Sequence, residues 1–83
     1  MNFKKGDKVE RLIKMRSFTI DGATEAWLPC TVVEVVPAGQ KPAGQYPWVW
    51  DAKMHDWCIV QGDDDLKYYS PRLDRLRFRE LSQ

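Results

Sequence analysis

The segment from residue 57 to residue 76, WCIVQGDDDLKYYSPRLDRL, constrains the fold most strongly. Residues 57–60 are aromatic, apolar or β-branched, which is typical of a largely buried strand. The polar run 61–65 contains one glycine and three aspartates, which predicts a turn. Residues 66–69 then resume the alternation of a strand, with Leu66 and Tyr68 on one face. The segment therefore predicts a β-hairpin with an acidic turn.

A tight helical turn and a last strand are predicted to follow this hairpin. Ser70 can cap a helix start, and Pro71 suits the first helical position. Leu73 and Leu76 are three residues apart, so one 3₁₀ turn would place both on the core. From Leu76 the period changes to two. Leu76 and Phe78 then point one way and an arginine stripe points outward, as on a protected edge strand; the stripe consists of Arg75, Arg77 and Arg79.

The rest of the chain predicts further strands and long connections. Gly6-Asp7 predicts a turn before a strand that starts at Val9 and extends toward Ile13. Residues 16–26 lack a clean period and are interpreted as a long excursion between two strands, in which Phe18 and Ile20 fold back onto the barrel. Residues 27–36 form the strongest predicted strand, and its apolar residues on both faces indicate a central or strongly bent position.

The segment that precedes the hairpin is predicted to be mostly loop. Residues 38–47 carry two glycines and, with Pro37, three prolines, which indicates a loop. Residues 48–50, Trp-Val-Trp, are predicted to form a short strand before a turn through residues 51–56.

Length and composition limit the class of protein. The 83 residues are interpreted as one domain, 1–83, and 43% hydrophobic with 30% charged residues indicates a globular chain. No apolar run reaches the length of a membrane span, and the N-terminus lacks the apolar core of a secretory signal. Two buried thiols, Cys30 and Cys58, are expected rather than a disulfide, although a pairing stays open, and a cytoplasmic location is expected.

Five short strands, one long early loop and a 3₁₀ turn before the last strand describe a small all-β protein with an SH3-like barrel. Four segments resemble the GD-x-V-E, W-x-P-A-x-V, W-x-V and L-R pattern of Tudor and Agenet-type domains. These segments are Gly6-Asp7-Lys8-Val9-Glu10, Trp27-Leu28-Pro29-Cys30-Thr31-Val32, Trp57-Cys58-Ile59-Val60 and Ser70-Pro71 with Leu73, Leu76 and Arg77. The outline is also similar to KOW-type barrels.

A more distant resemblance is to the type II dihydrofolate reductases, which are enzymes. They share the Gly6-Asp7-Lys8-Val9 and Ala26-Trp27 segments and a strand like residues 66–71. The position of that family's active-site glutamine is Lys67 here, and its isoleucine is Tyr68. Both differences fall on residues that bind folate and nicotinamide, so the resemblance implies the fold and not the activity.

The sequence does not indicate a catalytic or metal site. His55 and Cys58 form at most half of a zinc site, because a second close ligand pair is missing. Asp63, Asp64 and Asp65 lack the alternating spacing of a calcium loop and are interpreted as a solvated hairpin tip. No glycine-rich phosphate loop is present. We therefore expect neither an enzyme nor a cofactor.

The charges are unevenly distributed along the chain. Residues 1–16 and 72–83 together hold ten of the thirteen basic residues and four acids, whereas residues 17–71 hold three bases and eight acids. If the first and last strands are neighbours, their basic residues could form one face that attracts nucleic acid; the candidates are Lys4, Lys5, Lys8, Arg11, Arg72, Arg75, Arg77 and Arg79. The alternative is a solvated pair of edge strands.

The aromatic residues provide the second candidate surface. In Tudor-like barrels several rings enclose a methylated ammonium group beside an acid, so the resemblance implies a comparable site here, with Asp63–Asp65 as the acid. Rings that dock a protein or that simply fill a small core are the alternatives. The predicted aromatic groove consists of Trp27, Trp48, Trp50, Trp57 and Tyr69.

The sequence therefore favours a non-enzymatic binding module that docks another protein or peptide through the predicted aromatic groove. Nucleic-acid binding through the basic terminal strands is the alternative, and an oligomeric reductase-like enzyme is a third. No membrane partner is expected, and the oligomeric state stays open.

Overall fold

The computed structural model describes residues 2–14 and 25–79. Its strands are β1 (Lys8–Lys14), β2 (Glu25–Val36), β3 (Trp57–Gly62), β4 (Tyr68–Tyr69) and β5 (Leu76–Phe78), and a 3₁₀ turn spans Leu73–Arg75. All strand pairs are antiparallel, in the order β4-β3-β2-β1-β5. The prediction of a five-stranded all-β chain with a 3₁₀ turn before the last strand is therefore confirmed.

β2 is the central strand, as its two-sided apolar pattern predicts. Residues 25–31 pair with β1, and residues 30–36 pair with β3. The register shifts between Val32 and Glu34, so Val33 is the extra residue of a β-bulge. A bulge exchanges the faces to which the following side chains point. Consequently Val32 faces the same side as Val60, whereas Glu34 faces the same side as Ile59.

β3 is buried on both of its faces, and its alternate residues belong to two separate hydrophobic clusters. Cys58 and Val60 belong to a first cluster, which also contains Phe3, Val9, Cys30, Val32 and Leu76, with Tyr69 and Leu73 at its margin. Trp57 and Ile59 belong to a second cluster, which also contains Val36, with Val33, Tyr46, Trp50 and Tyr68 at its margin. The strand thus separates two cores.

The turn between β3 and β4 is solvent-exposed at Asp63, Asp64 and Asp65, as predicted, and two of these side chains also anchor it. Asp63 Oδ2 lies 2.8 Å from Arg79 Nη2, and Thr31 Oγ1 donates to Asp63 Oδ1 over 3.0 Å. Asp65 accepts hydrogen bonds from the Tyr69 hydroxyl and, over 3.0 Å, from the Lys67 amide. The sequence predicted the exposure of the turn but not these contacts, through which Asp63 joins the turn to the sheet and Asp65 joins it to β4.

Several predicted boundaries were wrong. Leu66 has φ of +58° and is exposed, so the second hairpin strand contains only Tyr68–Tyr69. Residues 48–50 form no strand, and the rings of Trp48 and Trp50 pack edge to face on one another. Ser70 does not cap the 3₁₀ turn; its N-cap is Arg72, without a side-chain hydrogen bond. Phe78 packs on Phe3 of the first cluster and so faces the same side as Leu76, as predicted, but it is 45% exposed.

Other predictions are confirmed or fall outside the described residues. β1 and β5 are neighbours, as expected for the first and last strands. The loop predicted over residues 38–47 is present and is part of a longer connection over residues 37–56, since residues 48–50 form no strand. Most of the excursion predicted over 16–26, including Phe18 and Ile20, lies outside the described residues, although Glu25 and Ala26 belong to β2. No helix in 2–14 and 25–79 is long and apolar enough to cross a membrane.

Candidate functional site

Four aromatic rings form a continuous patch on the second cluster, and we call this patch the aromatic surface. It consists of Tyr46, Trp48, Trp50 and Tyr68. Ring centroids are 5.4 Å apart for Trp48 and Trp50, 5.1 Å for Trp50 and Tyr46, and 5.5 Å for Tyr46 and Tyr68. Trp57 lies beneath, with its ring 6.1 Å from that of Trp50. The patch therefore has a buried tryptophan as its floor.

The connection between β2 and β3 carries three of these rings, and polar contacts fix its conformation. The Ala38 amide donates to Asp56 Oδ1 over 2.8 Å, and the Gly39 amide donates to the Lys53 carbonyl over 2.8 Å. Both contacts join the start of the connection to its end. The connection thus forms a closed loop whose middle part lies over β3.

Glu34 anchors the middle of this loop. Its carboxylate accepts hydrogen bonds from the Ala43 amide (2.6 Å), the Gly44 amide (3.0 Å) and the Tyr46 hydroxyl (2.5 Å). Desolvation raises the pKa of Glu34, but these hydrogen bonds outweigh it, so the pKa lies below its usual range. The bulge at Val33 makes the anchor possible, because it turns Glu34 to the side of the loop.

Two clefts flank Tyr46. One has a volume of about 350 Å³ and lies against Trp48, Val49 and Trp50. The other has a volume of about 540 Å³ and lies against Lys5, Glu34 and Tyr68. Both share the wall formed by Gly44, Gln45 and Tyr46. Trp48 is 49% exposed and Val49 is 85% exposed, so the first cleft opens between apolar side chains that face solvent.

The structure does not bring the predicted aromatic groove together as one site. Trp48 and Trp50 lie in the aromatic surface, but Trp57 is completely buried and cannot touch a partner. Tyr69 belongs to the margin of the first cluster, where the Arg11 guanidinium lies 3.6 Å from its ring centroid. Tyr69 is therefore on the opposite side of the sheet, because Tyr68 and Tyr69 are consecutive residues of β4.

Trp27 lies far along β2 from the other rings. Val33 is six positions further along the chain, which is about 20 Å along a strand. There the Arg77 guanidinium stacks over its ring at 4.1 Å, and Arg77 Nε also lies 2.8 Å from Glu10 Oε1. Glu34 takes the place of the predicted acid from the Asp63–Asp65 turn, since it is the carboxylate that contacts the aromatic surface.

Sequence reasoning missed Tyr46 and Glu34. A signal for Tyr46 was present, because Tyr46, Trp48 and Trp50 are spaced two residues apart beside Pro47. Glu34 carried no such signal. In a regular strand it would share the face of Val32, and only the bulge reverses it.

The eight basic residues proposed to bind nucleic acid do not form one free basic face. Arg79 Nη2 points into the sheet and donates to the carbonyls of Val9 (3.2 Å) and Cys30 (2.8 Å) as well as approaching Asp63. Arg77 pairs with Glu10, and Arg72 Nε lies 3.5 Å from Asp74 Oδ1 at the far edge of the sheet. Arg11 stacks on Tyr69, and Lys8 Nζ donates to Thr31 Oγ1 over 3.1 Å.

Only part of the predicted basic set is left without such a contact in the described residues. Lys4, Lys5 and Arg75 are exposed there. Lys5 lines the second cleft near Glu34, so it contributes to the aromatic surface rather than to the β1–β5 edge. The adjacency of β1 and β5 is therefore present, but three of the eight expected positive charges, those of Arg72, Arg77 and Arg79, are paired with acids.

The two cysteines are free thiols in the first cluster. Burial raises the pKa of Cys58 to about 11 and also raises the pKa of Cys30. A raised pKa leaves a thiol protonated near neutral pH, which does not suit a nucleophile or a metal ligand. Within the described ranges no three histidine, cysteine or acidic side chains lie close enough to hold a metal ion.

Comparisons with known proteins leave the family open: no protein-family model, no curated protein and no solved structure matches this chain. The small antiparallel sheet and its aromatic cluster are compatible with a small β-barrel.

Proposed function

We propose that this protein is a non-enzymatic binding module that docks a segment of another protein on the aromatic surface. The observation that supports this most directly is the contrast between Trp57 and Trp48. The buried ring completes the second core, whereas the half-exposed ring and Val49 extend beyond it into solvent. Exposed aromatic rings over a packed base are typical of the energetic centres of protein interfaces.

The anchoring of the loop supports the same function. A docking surface binds more tightly when its side chains are ordered before the partner arrives, since less conformational entropy is then lost. Glu34, Asp56 and the Gly39 amide hold the loop at three places. The rings are thus presented on a preorganised loop.

The ring geometry favours a docking surface over a cage for a methylated ammonium group. Such a cage needs ring faces that are free to surround the cation. Here Trp48 and Trp50 meet at 74° and Tyr46 and Tyr68 at 73°, so the edge of one ring covers the face of the next. We therefore propose a relationship to Tudor and Agenet-type domains on the basis of the sequence motifs, but we do not propose that the protein binds a methylated ammonium group.

A cytoplasmic location is also part of the proposal. The support is the presence of two free thiols, Cys30 and Cys58, in a protein of this size. Disulfides are rare where glutathione and thioredoxin keep thiols reduced.

The proposed function can be tested by selecting random peptides on the immobilised protein by phage display, followed by binding measurements on Trp48→Ala. We expect selected peptides to bind the wild-type protein and to bind Trp48→Ala at least tenfold more weakly. Met54→Ala is the matched control, because Met54 is a fully exposed loop side chain that lines neither of the two clefts. Equal losses in both variants would contradict docking on the aromatic surface.

Nucleic-acid binding is the competing hypothesis, supported by the neighbouring β1 and β5 strands. A fluorescein-labelled 20-mer DNA, titrated at 50 and 300 mM salt, distinguishes the two. A basic site would give an affinity that falls steeply with salt and is lost in Arg75→Glu. The aromatic-surface hypothesis predicts no specific DNA binding and no effect of Arg75→Glu on peptide binding.

A further inference from the structure

We propose that the partner docked on the aromatic surface is a second copy of this chain, and that the two copies form a symmetric dimer. In this dimer Val49 of each copy enters the first cleft, the one beside Trp48, of the other. The inference rests on the proposed function and names the partner. The surface complements itself in shape, in charge and in the apolar area that it exposes.

A projecting apolar side chain and an apolar cleft lie next to each other on this surface. Val49 is 85% exposed, and the cleft of about 350 Å³ beside it is also bordered by Tyr46, Trp48 and Trp50. A two-fold axis brings the same patch of both copies together, so a projection of the patch needs a recess in that same patch. Val49 and the first cleft meet this condition. Apolar burial is non-directional, so it needs no ring face that is free of its neighbours.

The charges at the rim of the first cleft also complement themselves. Lys41 is the one charged residue that lines this cleft in the described part of the chain, and its Nζ lies 3.9 Å from Asp51 Oδ1. Both side chains are largely exposed, so this pair contributes little within one chain and can be exchanged. In a symmetric dimer Lys41 of each copy can pair with Asp51 of the other. The net charge of +1 adds little repulsion between copies.

The second cluster gains apolar burial from a second copy. Among the described residues it contains three buried side chains, whereas the first cluster contains seven. Small chains have small cores, and oligomerisation is one of the ways in which they gain stability. Trp48 and Val49 are large apolar side chains that are exposed beside the smaller cluster. Association through the aromatic surface removes both from water, which is favourable.

Self-association is measured on the full chain by sedimentation velocity and light scattering from 5 to 500 µM. We expect the mass to rise with concentration from that of one chain to that of two. It should rise no further, because a symmetric pair leaves no free copy of the contact surface. Growth beyond two copies would contradict the symmetric arrangement, and a single chain at 500 µM would overturn the inference.

Single substitutions locate the contact. Val49→Asp should raise the dissociation constant of the dimer at least tenfold, because it places a carboxylate in an apolar cleft. Trp48→Ala should raise it at least tenfold as well. Met54→Asp is the matched control and should change it less than twofold, since Met54 is a fully exposed side chain of the same loop that lines neither cleft. The dispersion of the amide spectrum verifies that each variant is folded. A dimer that is as stable in Val49→Asp as in the wild-type protein uses another surface, and the inference is then wrong.

An exchange of charges distinguishes a second copy from any other partner. Lys41→Glu and Asp51→Lys each place like charges opposite one another in the symmetric dimer, so each variant should self-associate at least threefold more weakly. In an equimolar mixture the two variants face each other with opposite charges, and energy transfer between labelled chains should show a heterodimer of wild-type affinity. Lys14→Glu mixed with Asp64→Lys is the control, because these exposed residues line neither cleft. Both control variants should dimerise like the wild-type protein, alone and mixed. A mixture of the first two variants that stays as weak as either alone would contradict the pairing of Lys41 with Asp51 of the other copy.

Peptide binding separates the failure of this inference from the failure of the proposed function. If the chain stays monomeric but peptides selected by phage display still depend on Trp48, the docking function stands and the second copy is not the partner. If the dimer forms as proposed, the same peptides should dissociate it, because both occupy the first cleft. If neither self-association nor peptide binding changes in Trp48→Ala, both the inference and the proposed function are wrong.

Discussion

The two faces of β3 are both apolar, yet they are covered by different means. On one face, Cys58 and Val60 pack against side chains of β1, β2 and β5, so other strands of the sheet complete that core. On the other face, Trp57 and Ile59 are covered by Val36 and by rings from the long loop 37–56. The first core is thus covered mainly by paired strands, whereas the second is covered mainly by side chains of the loop 37–56.

This difference explains why one face suits binding. Strands that cover a core are held by ladders of backbone hydrogen bonds, and their side chains have little freedom to project outward. A loop covers a core with individual rings, so the inner ring is partly buried while the outer one stays more exposed. Trp50 and Trp48 occupy these two positions. Coverage by a loop therefore leaves an apolar surface that a partner can complete.

The largest expected effect concerns Trp57, the buried tryptophan beneath the aromatic surface. Trp57→Ala removes the largest fully buried side chain, and we expect the free energy of unfolding to fall by about 3–5 kcal/mol. Urea denaturation followed by circular dichroism measures this. Trp48→Ala is the matched control and should cost less than about 1 kcal/mol, because Trp48 is only half buried. Similar losses in the two variants would contradict the assignment of one ring to the core and the other to the surface.

The second prediction concerns the closure of the first face. Arg79 joins the carbonyls of Val9 and Cys30 to Asp63, so Arg79→Met removes three partners at once. We expect a loss of about 2 kcal/mol, since the Asp63 carboxylate and two carbonyls lose their donor. The control is Arg77→Met, whose half-exposed pair with Glu10 and stacking on Trp27 should together contribute about 1 kcal/mol. Chemical denaturation measures the free energy of unfolding of both variants. A larger loss in Arg77→Met than in Arg79→Met would contradict this prediction.

The third prediction concerns the anchor of the second face. In Glu34→Gln the amide group cannot accept hydrogen bonds at both ends, so one loop donor loses its partner. We expect a loss of about 1 kcal/mol. Hydrogen exchange should become faster at Ala43 and Gly44 but not in β1 or β5. Uniform acceleration across the sheet would mean that the loop and the strands open together.

The smallest expected effect is a pH dependence of the same anchor. The folded-state pKa of Glu34 lies below its usual value, so its contribution to stability is fully present above the usual pKa of glutamate. It is lost as pH falls through the lower folded-state pKa. The stability difference between the wild-type protein and Glu34→Gln should therefore be constant above about pH 5.5 and shrink below about pH 4.

Denaturant titrations of both proteins between pH 3 and pH 7 measure this difference directly. The pKa values of Asp63 and Asp65 are lowered as well, so both proteins lose stability in acid, and only the difference between them reports on Glu34. A difference that grows as pH falls would have the wrong sign.

Much of the fold was predictable from local pattern. The strand at residues 57–60, the turn at Gly6, the long loop and the 3₁₀ turn before β5 all follow from residue types and their spacing. At Gly62 the preference for glycine has a local cause as well, because a Cβ there would lie too close to the carboxylate of Asp65 in the same turn. The candidate site was predictable only in part, since Trp48 and Trp50 were assigned to it but Tyr46 and Glu34 were not.

The sequence by itself determined which segments form most of the strands, because periodicity, turn residues and β-branched side chains act over a few neighbouring residues. Only the tertiary structure decided which tryptophan is exposed, which arginine turns inward and which acid meets the rings. Trp57 and Trp48 are the same residue type, and Arg77 and Arg79 are two residues apart, a spacing that predicts one face of a strand. In each pair the roles differ because different groups contact the two side chains. Glu34 depends on a single bulge, whose position is set by the pairing of β2 with β3. Such long-range partners are the physical reason why the surface could not be derived from local pattern.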